Sequence, residues 1–194
     1  MAREANTPES GQTSRGKRIR REIFSWCRTI LVALLIAFVL TQFVIVNATI
    51  PTGSMMDTIQ KKDRLIGLRF AYWFGDPDRG DIVIFDAVDF PDEHLLKRVI
   101  GLPGETVEGR DGQVYIDGEP LDEPYVREAI REDFGPFTVA DDSYFMMGDN
   151  RNDSLDSRFW EHPYVKKKDI LGKAVLRYWP GVSLLSDPVY AEAG

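Results

Sequence analysis

The feature that most limits how this chain can fold is an uncharged apolar run near its N-terminus. Residues 30–46 are almost all Leu, Ile, Val, Ala and Phe, interrupted only by Thr41 and Gln42. Together with residues 47–50, the run reaches about 20 residues, the length that a helix needs to cross the hydrocarbon core of a bilayer. We therefore interpret residues 29–50 as a single transmembrane helix.

Two other interpretations of this run stay open. A cleavable signal peptide has a shorter apolar core, of about 7–15 residues, and a small-residue cleavage site close behind it. Residues 46–48 (VNA) match such a site only weakly. A buried core helix is less favoured, because the run is apolar on all sides.

The charges on either side of the run predict the orientation of the chain. Residues 1–28 contain seven basic and three acidic residues, and positively charged flanks remain cytoplasmic. We therefore expect residues 1–28 to form a basic cytoplasmic tail and residues 51–194 to form a domain outside the membrane. The part after the run contains 17 basic and 28 acidic residues, which argues against nucleic acid as a partner.

The outer domain shows short apolar segments separated by turn residues. Asp117-Gly118 is a strong hairpin signal, and there is neither an internal repeat nor an alternation of strands and helices. We predict a mostly β, antiparallel sheet or barrel-like domain, with strands at residues 81–85, 95–100, 106–108, 113–116, 137–139, 143–147 and 170–179. Cys27 is the only cysteine, so no intramolecular disulfide stabilises this domain.

The first candidate for chemistry is Ser54, which follows Gly53 in a turn just after the apolar run. A serine in such a turn can present its hydroxyl and its backbone N–H to the same point. The residue that usually activates a serine is histidine. His94 and His162 both lie in polar segments that predict solvated loops, and neither stands in a recognisable triad context.

Lys97 is the alternative base. It lies within the apolar segment LLKRVI at residues 95–100, and on a strand it shares a face with Leu95 and Val99. Apolar neighbours desolvate an amine, which lowers its pKa and leaves it free to accept a proton. The competing interpretation is a lysine that extends its ammonium group to water.

A third segment, GDNRNDSLDSR at residues 148–158, has the composition of an ordered turn with side-chain to backbone hydrogen bonds. Asp156 and Arg158 can pair there, and Ser154 can hold a nearby amine. The same acidic residues do not fit a calcium loop, because Arg151 occupies a position that requires an oxygen ligand. No zinc-type spacing of His and Cys occurs, and we expect neither a metal nor a cofactor.

Together, these segments resemble the bacterial type I signal peptidase (leader peptidase) family. Four motifs occur in the family's order: PTGSM at residues 51–55, GDIV at 80–83, KRVIGLPG at 97–104 and GDNRNDSLDSR at 148–158. One departure is Asp57, which stands where the family often has Pro and leaves the local turn shape open. The resemblance implies a membrane-bound serine endopeptidase that cleaves N-terminal signal peptides from exported preproteins.

The resemblance also implies a role for each site residue. Ser54 is the nucleophile and Lys97 its general base, while the Ser54 N–H and the Thr52 hydroxyl form the oxyanion hole. Ser154, Asp156 and Arg158 support the site. The implied location is the bacterial inner membrane, with a single span, a cytoplasmic N-terminus and the catalytic domain on the outer face.

The implied partners are secretory preproteins and membrane lipid, which we expect Met55 to contact. Two rival functions are compatible with parts of the sequence. A membrane-anchored β domain that only binds a partner explains the anchor and the strands, but it gives Ser54 and Lys97 no shared purpose. A different Ser–Lys peptidase, such as a pilin-processing or self-cleaving enzyme, explains the pair but not all four motifs.

Overall fold

The structure, a computed structural model, describes residues 12–185 and 188 of the chain. It divides into two compact units, the first ending at Gln42 and the second beginning at Phe43. The regular structure described in the first is helical, and that in the second consists mostly of strands. Residues 1–11 of the predicted tail lie outside the described residues.

In its described residues the first unit contains one long helix, α1, which spans Gln12–Val39 and is followed by a π-helical turn at Leu40–Val44. The stretch Arg18–Val44 is long and apolar enough to cross a membrane, and none of it is buried by protein. Exposed apolar surface costs about 25 cal/mol per Å² in water, so a helix of this kind is suited to a lipid environment.

The expected helix end at residue 50 is wrong, because residues 45–49 form a strand. The segment is rich in β-branched side chains, which favour extended backbone. Ile45 pairs with Leu68, and Thr49 pairs with Arg64. Val46 is buried in the core of the second unit, and so is Ile50, which follows the strand. The β domain thus begins at residue 45 and not at residue 51.

Within residues 43–185 the second unit contains twelve strands. In chain order they are β1 Ile45–Thr49, β2 Arg64–Leu68, β3 Ile82–Ala87, β4 Phe90–Gly101, β5 Thr106–Arg110, β6 Gln113–Ile116, β7 Glu119–Pro120, β8 Phe134–Thr138, β9 Ser143–Met147, β10 Tyr164–Lys166, β11 Ile170–Trp179 and β12 Ser183–Leu184. Short 3-10 helices occupy Arg69–Tyr72, Arg151–Asp153 and Lys167–Asp169.

These strands form two sheets. The larger has the order β1-β2-β11-β3-β4-β9-β10, with β12 paired to β11, and the smaller has the order β7-β6-β5-β8. The strand pairs in both sheets are antiparallel. The predicted mostly β, antiparallel fold behind one N-terminal apolar helix is therefore confirmed.

The buried side chains form three groups that hold the site segments in place. One group surrounds Met55 and Ile59, so the turn that carries Ser54 is fixed by its own apolar residues. A second includes Val99 of β4, the strand that carries Lys97, and Val83 of the neighbouring β3. The third joins Phe145 and Met147 of β9 to Val107 of β5, and so packs the small sheet against the large one.

Candidate active site

Ser54 lies in a tight turn just after β1. The turn is closed by backbone hydrogen bonds from Met56 N–H to the Gly53 carbonyl at 3.1 Å and from Ile59 N–H to the Met55 carbonyl at 2.8 Å. Ser54 is 8% exposed, and its Oγ lies 3.4 Å from the hydroxyl oxygen of Thr52. In the described part of the chain no acceptor takes the Ser54 backbone N–H, which leaves that group available to a ligand.

Met55 does not contact lipid, contrary to expectation. Its side chain is 1% exposed and packs in the domain core with Ile50, Ile59 and Leu65. The residue after the serine therefore anchors the turn from inside, because an apolar side chain this large gains roughly 1.5–3 kcal/mol from burial.

Lys97 lies in the middle of β4, opposite Val83 of β3, and is only 5% exposed. Its Nζ donates a hydrogen bond to the Ser154 hydroxyl at 3.1 Å. The Lys97 pKa is lowered from its usual 10.5 to about 8, mainly by burial. The positive charge of Arg158 contributes to the lowering, while the negative charges of Asp156 and Asp149 oppose it. A substantial fraction of this amine is therefore neutral at mildly alkaline pH.

The loop after β9 brings the three remaining predicted residues to the same place. Asp156 is fully buried and accepts two hydrogen bonds from Arg158, from Nε at 2.8 Å and from a terminal nitrogen at 2.9 Å. It also accepts the Gly148 N–H at 3.0 Å. This pair holds the loop closed, so that Ser154 points its hydroxyl at Lys97.

Thr52, Ser54 and Lys97 line one groove. It is lined by residues 48–52 and 93–97 and by Met55 and Ile84. No hydrogen bond joins Ser54 to Lys97 among the residues that the structure describes; contacts between nucleophile and base are often looser before substrate binds. The groove thus places a hydroxyl and a buried amine where one extended peptide can reach both.

Asn150 is a site residue to which sequence reasoning gave no role. Its backbone N–H donates to the Ser54 carbonyl at 3.0 Å, and its side-chain amide donates to the Gly53 carbonyl at 3.0 Å. The loop at residues 148–158 therefore holds the nucleophile turn directly. The signal was present in the sequence, since Asn150 lies within the GDN segment, but its partner cannot be identified without the fold.

A buried ion pair behind the site was also missed. Arg98 donates two hydrogen bonds to Asp149, at 2.8 and 2.6 Å, and both side chains are almost completely buried. Thr58 donates its hydroxyl to the same carboxylate at 2.5 Å. The Asp149 carboxylate therefore connects β4 to the turn that carries Ser54. An arginine directly after Lys97 was the only sequence signal.

The two histidines take no part in this arrangement of Ser54 and Lys97. His94 contacts Asp86 at 2.6 Å and His162 contacts Asp89 at 2.7 Å, and both imidazoles are more than half exposed. His94 lies on β4 at the rim of the groove and not in the expected loop. In the described residues no three His, Cys, Asp or Glu side chains gather as a metal site.

The comparisons with known proteins agree with one another. A family model described as "Signal peptidase, peptidase S26" matches residues 23–179. The chain is 40% identical over 174 residues to the probable signal peptidase I-2 of Synechocystis, covering 86% of this chain and 78% of the relative. It is 38% identical over 181 residues to signal peptidase I of Leptolyngbya laminosa, covering 90% and 88%. With signal peptidase I S of Bacillus subtilis it shares 34% identity over 172 residues, covering 83% and 91%.

Proposed function

This chain belongs to the signal peptidase family, peptidase S26, and on that premise we propose that it is a membrane-bound serine endopeptidase. It cleaves N-terminal signal peptides from exported preproteins, with Ser54 as nucleophile and Lys97 as general base. The single observation that carries the proposal is the groove lined by both Ser54 and Lys97. Lys97 is buried there, donates a hydrogen bond to the Ser154 hydroxyl, and has its pKa lowered to about 8.

The residue types give the mechanism. Neutral Lys97 takes the proton from Ser54 as Oγ attacks the scissile carbonyl. The developing oxyanion meets the Ser54 N–H and the Thr52 hydroxyl. Donors of this kind stabilise the transition state by about 3–4 kcal/mol each. The protonated amine then supplies a proton to the leaving nitrogen, and Lys97 afterwards activates the water that hydrolyses the acyl-enzyme. Ser154 holds the amine throughout.

The groove suits an extended substrate. Among the strands that the structure describes, β1 is at the edge of the large sheet and pairs only with β2, and residues 48–50 at its end line the groove. A peptide added beside this edge satisfies its backbone hydrogen bonds and leaves alternate side chains pointing into the groove. Because the groove is small and Met55, Ile84 and Leu96 contribute to its lining, small side chains next to the cleaved bond fit best.

We also propose the location of the protein. The chain is a single-span protein of the bacterial inner membrane, with residues 1–28 in the cytoplasm and the catalytic domain, from β1 onward, on the outer face. The basic flank of the apolar run supports this orientation. The partners are secretory preproteins, and the acidic outer domain argues against nucleic acid.

We propose that the exposed aromatic segment at residues 70–74, and not Met55, contacts lipid. Phe70, Trp73 and Phe74 are all exposed, Phe74 almost completely at 98%. The neighbouring Arg69 donates to the Ile45 carbonyl at 3.2 Å, one residue beyond the apolar stretch Arg18–Val44. Aromatic side chains close to the point where a chain leaves the membrane suit the lipid–water interface.

The test is cleavage of an exported preprotein by the purified full-length chain in detergent, followed by mass spectrometry of both products. Wild type is expected to cut at one bond behind the signal peptide. Ser54→Ala is expected to abolish the cut, whereas Ser183→Ala, in β12 and away from the groove, leaves it unchanged. Equal turnover by wild type and Ser54→Ala would contradict the proposal.

A further inference from the structure

The segment between β7 and β8 crosses the small sheet. These two strands are at opposite edges of that sheet, whose order is β7-β6-β5-β8, so their connection has to pass over one face. We call this connection, residues 121–133, the crossing segment. It contains no regular helix or strand, yet its Ile130 is buried and donates its N–H to the Gly112 carbonyl at 3.1 Å.

On its way, the crossing segment covers two buried guanidinium groups. The ring of Tyr125 lies 3.9 Å from the guanidinium carbon of Arg98 and 6.0 Å from that of Arg151. These distances fall within the range of cation–π attraction. Glu123 pairs with Arg151 through both carboxylate oxygens and accepts the Tyr125 hydroxyl at 2.9 Å.

Both guanidinium groups are connected by hydrogen bonds and packing contacts to the turn that carries Ser54. Arg98 holds Asp149, which in turn holds Thr58 in that turn. Arg151 donates to the Gly148 carbonyl at 3.1 Å. Gly148 packs so closely on the Ser54 carbonyl that a Cβ there would overlap it. A shift of either guanidinium group therefore reaches the nucleophile within two or three contacts.

We propose that Tyr125 is a positioning residue for the peptidase reaction, which keeps Ser54 in register with Lys97 by fixing Arg98 and Arg151. This rests on the proposed roles of Ser54 and Lys97. A stacked ring restrains a guanidinium plane without competing for its hydrogen bonds. The Tyr125 ring therefore limits the rotation of both guanidinium groups. Arg98 keeps its hydrogen bonds to Asp149, and Arg151 keeps those to Glu123 and Gly148.

Two kinds of substitution test this role. Tyr125→Leu removes the ring, and we expect kcat to fall about tenfold or more with KM changed less than twofold, since small misplacements of reacting groups cost that much. Tyr125→Phe keeps the ring and is expected to retain kcat within about threefold. Phenylalanines with increasing fluorination at position 125 weaken the negative ring face without a change of shape, so kcat is expected to fall stepwise along the series.

The chain supplies a matched control. Tyr115 stacks on Arg110 in the same small sheet, at 3.8 Å, but this arginine is half exposed and has no link to Ser54. Tyr115→Leu is therefore expected to leave kcat unchanged. If both leucine variants lower kcat equally, the loss comes from the small sheet as a whole and the proposal is overturned.

A double-mutant cycle gives a readout that a merely structural role does not move. Thr58→Val removes the hydroxyl that meets Asp149, so its effect on kcat should overlap with that of Tyr125→Leu and the combined loss should be smaller than the product of the two. Purely multiplicative losses would overturn the proposal, and a flat fluorination series would overturn it even if Tyr125→Leu fails to fold. If wild type and Ser54→Ala turn over equally, the peptidase assignment itself fails instead.

Discussion

Burial determines what Lys97 can do. An exposed lysine is protonated at any physiological pH, but desolvation of this amine within β4 lowers its pKa to about 8. The Ser154 hydroxyl adds a neutral partner that orients the amine without fixing its charge. The fold thus gives Lys97 an environment that a lysine lacks in water, and the proposed pairing of Ser54 with Lys97 needs no histidine.

The pH dependence of cleavage follows from this shift. The working base is the neutral amine, so kcat/KM is expected to fall about tenfold per pH unit below pH 8 and to level off above it. Protonation of Lys97 at lower pH removes the base, and kcat/KM therefore decreases as the pH falls. The measurement is preprotein cleavage between pH 6 and 10 by wild type, His94→Ala and His162→Ala. An acid limb that moves in either histidine variant would argue against Lys97.

The Thr52 hydroxyl gives a second prediction at this scale. Thr52→Val is expected to lower kcat about 10²-fold, the loss seen when one oxyanion-hole donor is removed, with KM nearly unchanged. The hydroxyl is required only when charge develops on the substrate oxygen. Steady-state kinetics on a signal-peptide substrate give both constants, with Thr138→Val in β8 as the control. Unchanged kcat would remove Thr52 from the oxyanion hole.

At the scale of the elements, the loop at residues 148–158 is the part that assembles the site. It holds the Ser54 turn through Asn150 and the Lys97 amine through Ser154, and the pair of Asp156 and Arg158 braces it internally. Its first residue, Gly148, packs closely against the Ser154 side chain and the Ser54 carbonyl, since a Cβ at position 148 would overlap both.

Gly148→Ala should therefore push the Ser154 side chain and the Ser54 carbonyl apart. We expect a loss of about 1–3 kcal/mol in the free energy of unfolding, typical of overpacking, and a fall in kcat larger than this destabilisation explains. Thermal unfolding and initial rates measure the two effects. Gly75→Ala, where no atom lies within 4 Å of the added Cβ, is the matched control. Equal behaviour of the two variants would show that the Gly148 packing is unimportant.

The strands show what the sequence could and could not predict. β6, β9 and β11 match the predicted segments residue for residue, because each is a short apolar run bounded by turn residues. β1 was missed, since its apolar residues continue the membrane run without a break and their period cannot distinguish helix from strand. Its pairing with β2 is a long-range contact that no local pattern contains.

The site, like the strands, was predictable in its local segments and not in its long-range contacts. The motifs predicted which segments carry Ser54, Lys97 and Ser154. In the structure Ser54 and Lys97 line one groove, and Ser154 accepts a hydrogen bond from Lys97. The support of Arg98 by Tyr125 was not predictable, because it joins a loop of the small sheet to a strand of the large one. Such contacts depend on how the two sheets pack, and residue types alone do not encode that.

At the scale of the whole molecule, a peptidase of this kind needs its groove on the side where preproteins emerge. The basic flank predicts a cytoplasmic N-terminus. With Cys27→Ser as background, we expect Glu119→Cys in the outer domain to react with an impermeant thiol reagent in intact spheroplasts. Ser14→Cys in the tail should react only after lysis. The opposite pattern of labelling would reverse the orientation.

The central claim is that Lys97 acts as the base for Ser54, and the most direct test is preprotein cleavage by purified, full-length Lys97→Arg. Arginine keeps the positive charge and the hydrogen-bond donors, but it does not release its proton at any working pH. Circular dichroism and thermal unfolding establish that the variant is folded. A folded Lys97→Arg protein with no detectable turnover is the predicted result, and near-normal turnover by the same protein would contradict the Ser–Lys mechanism.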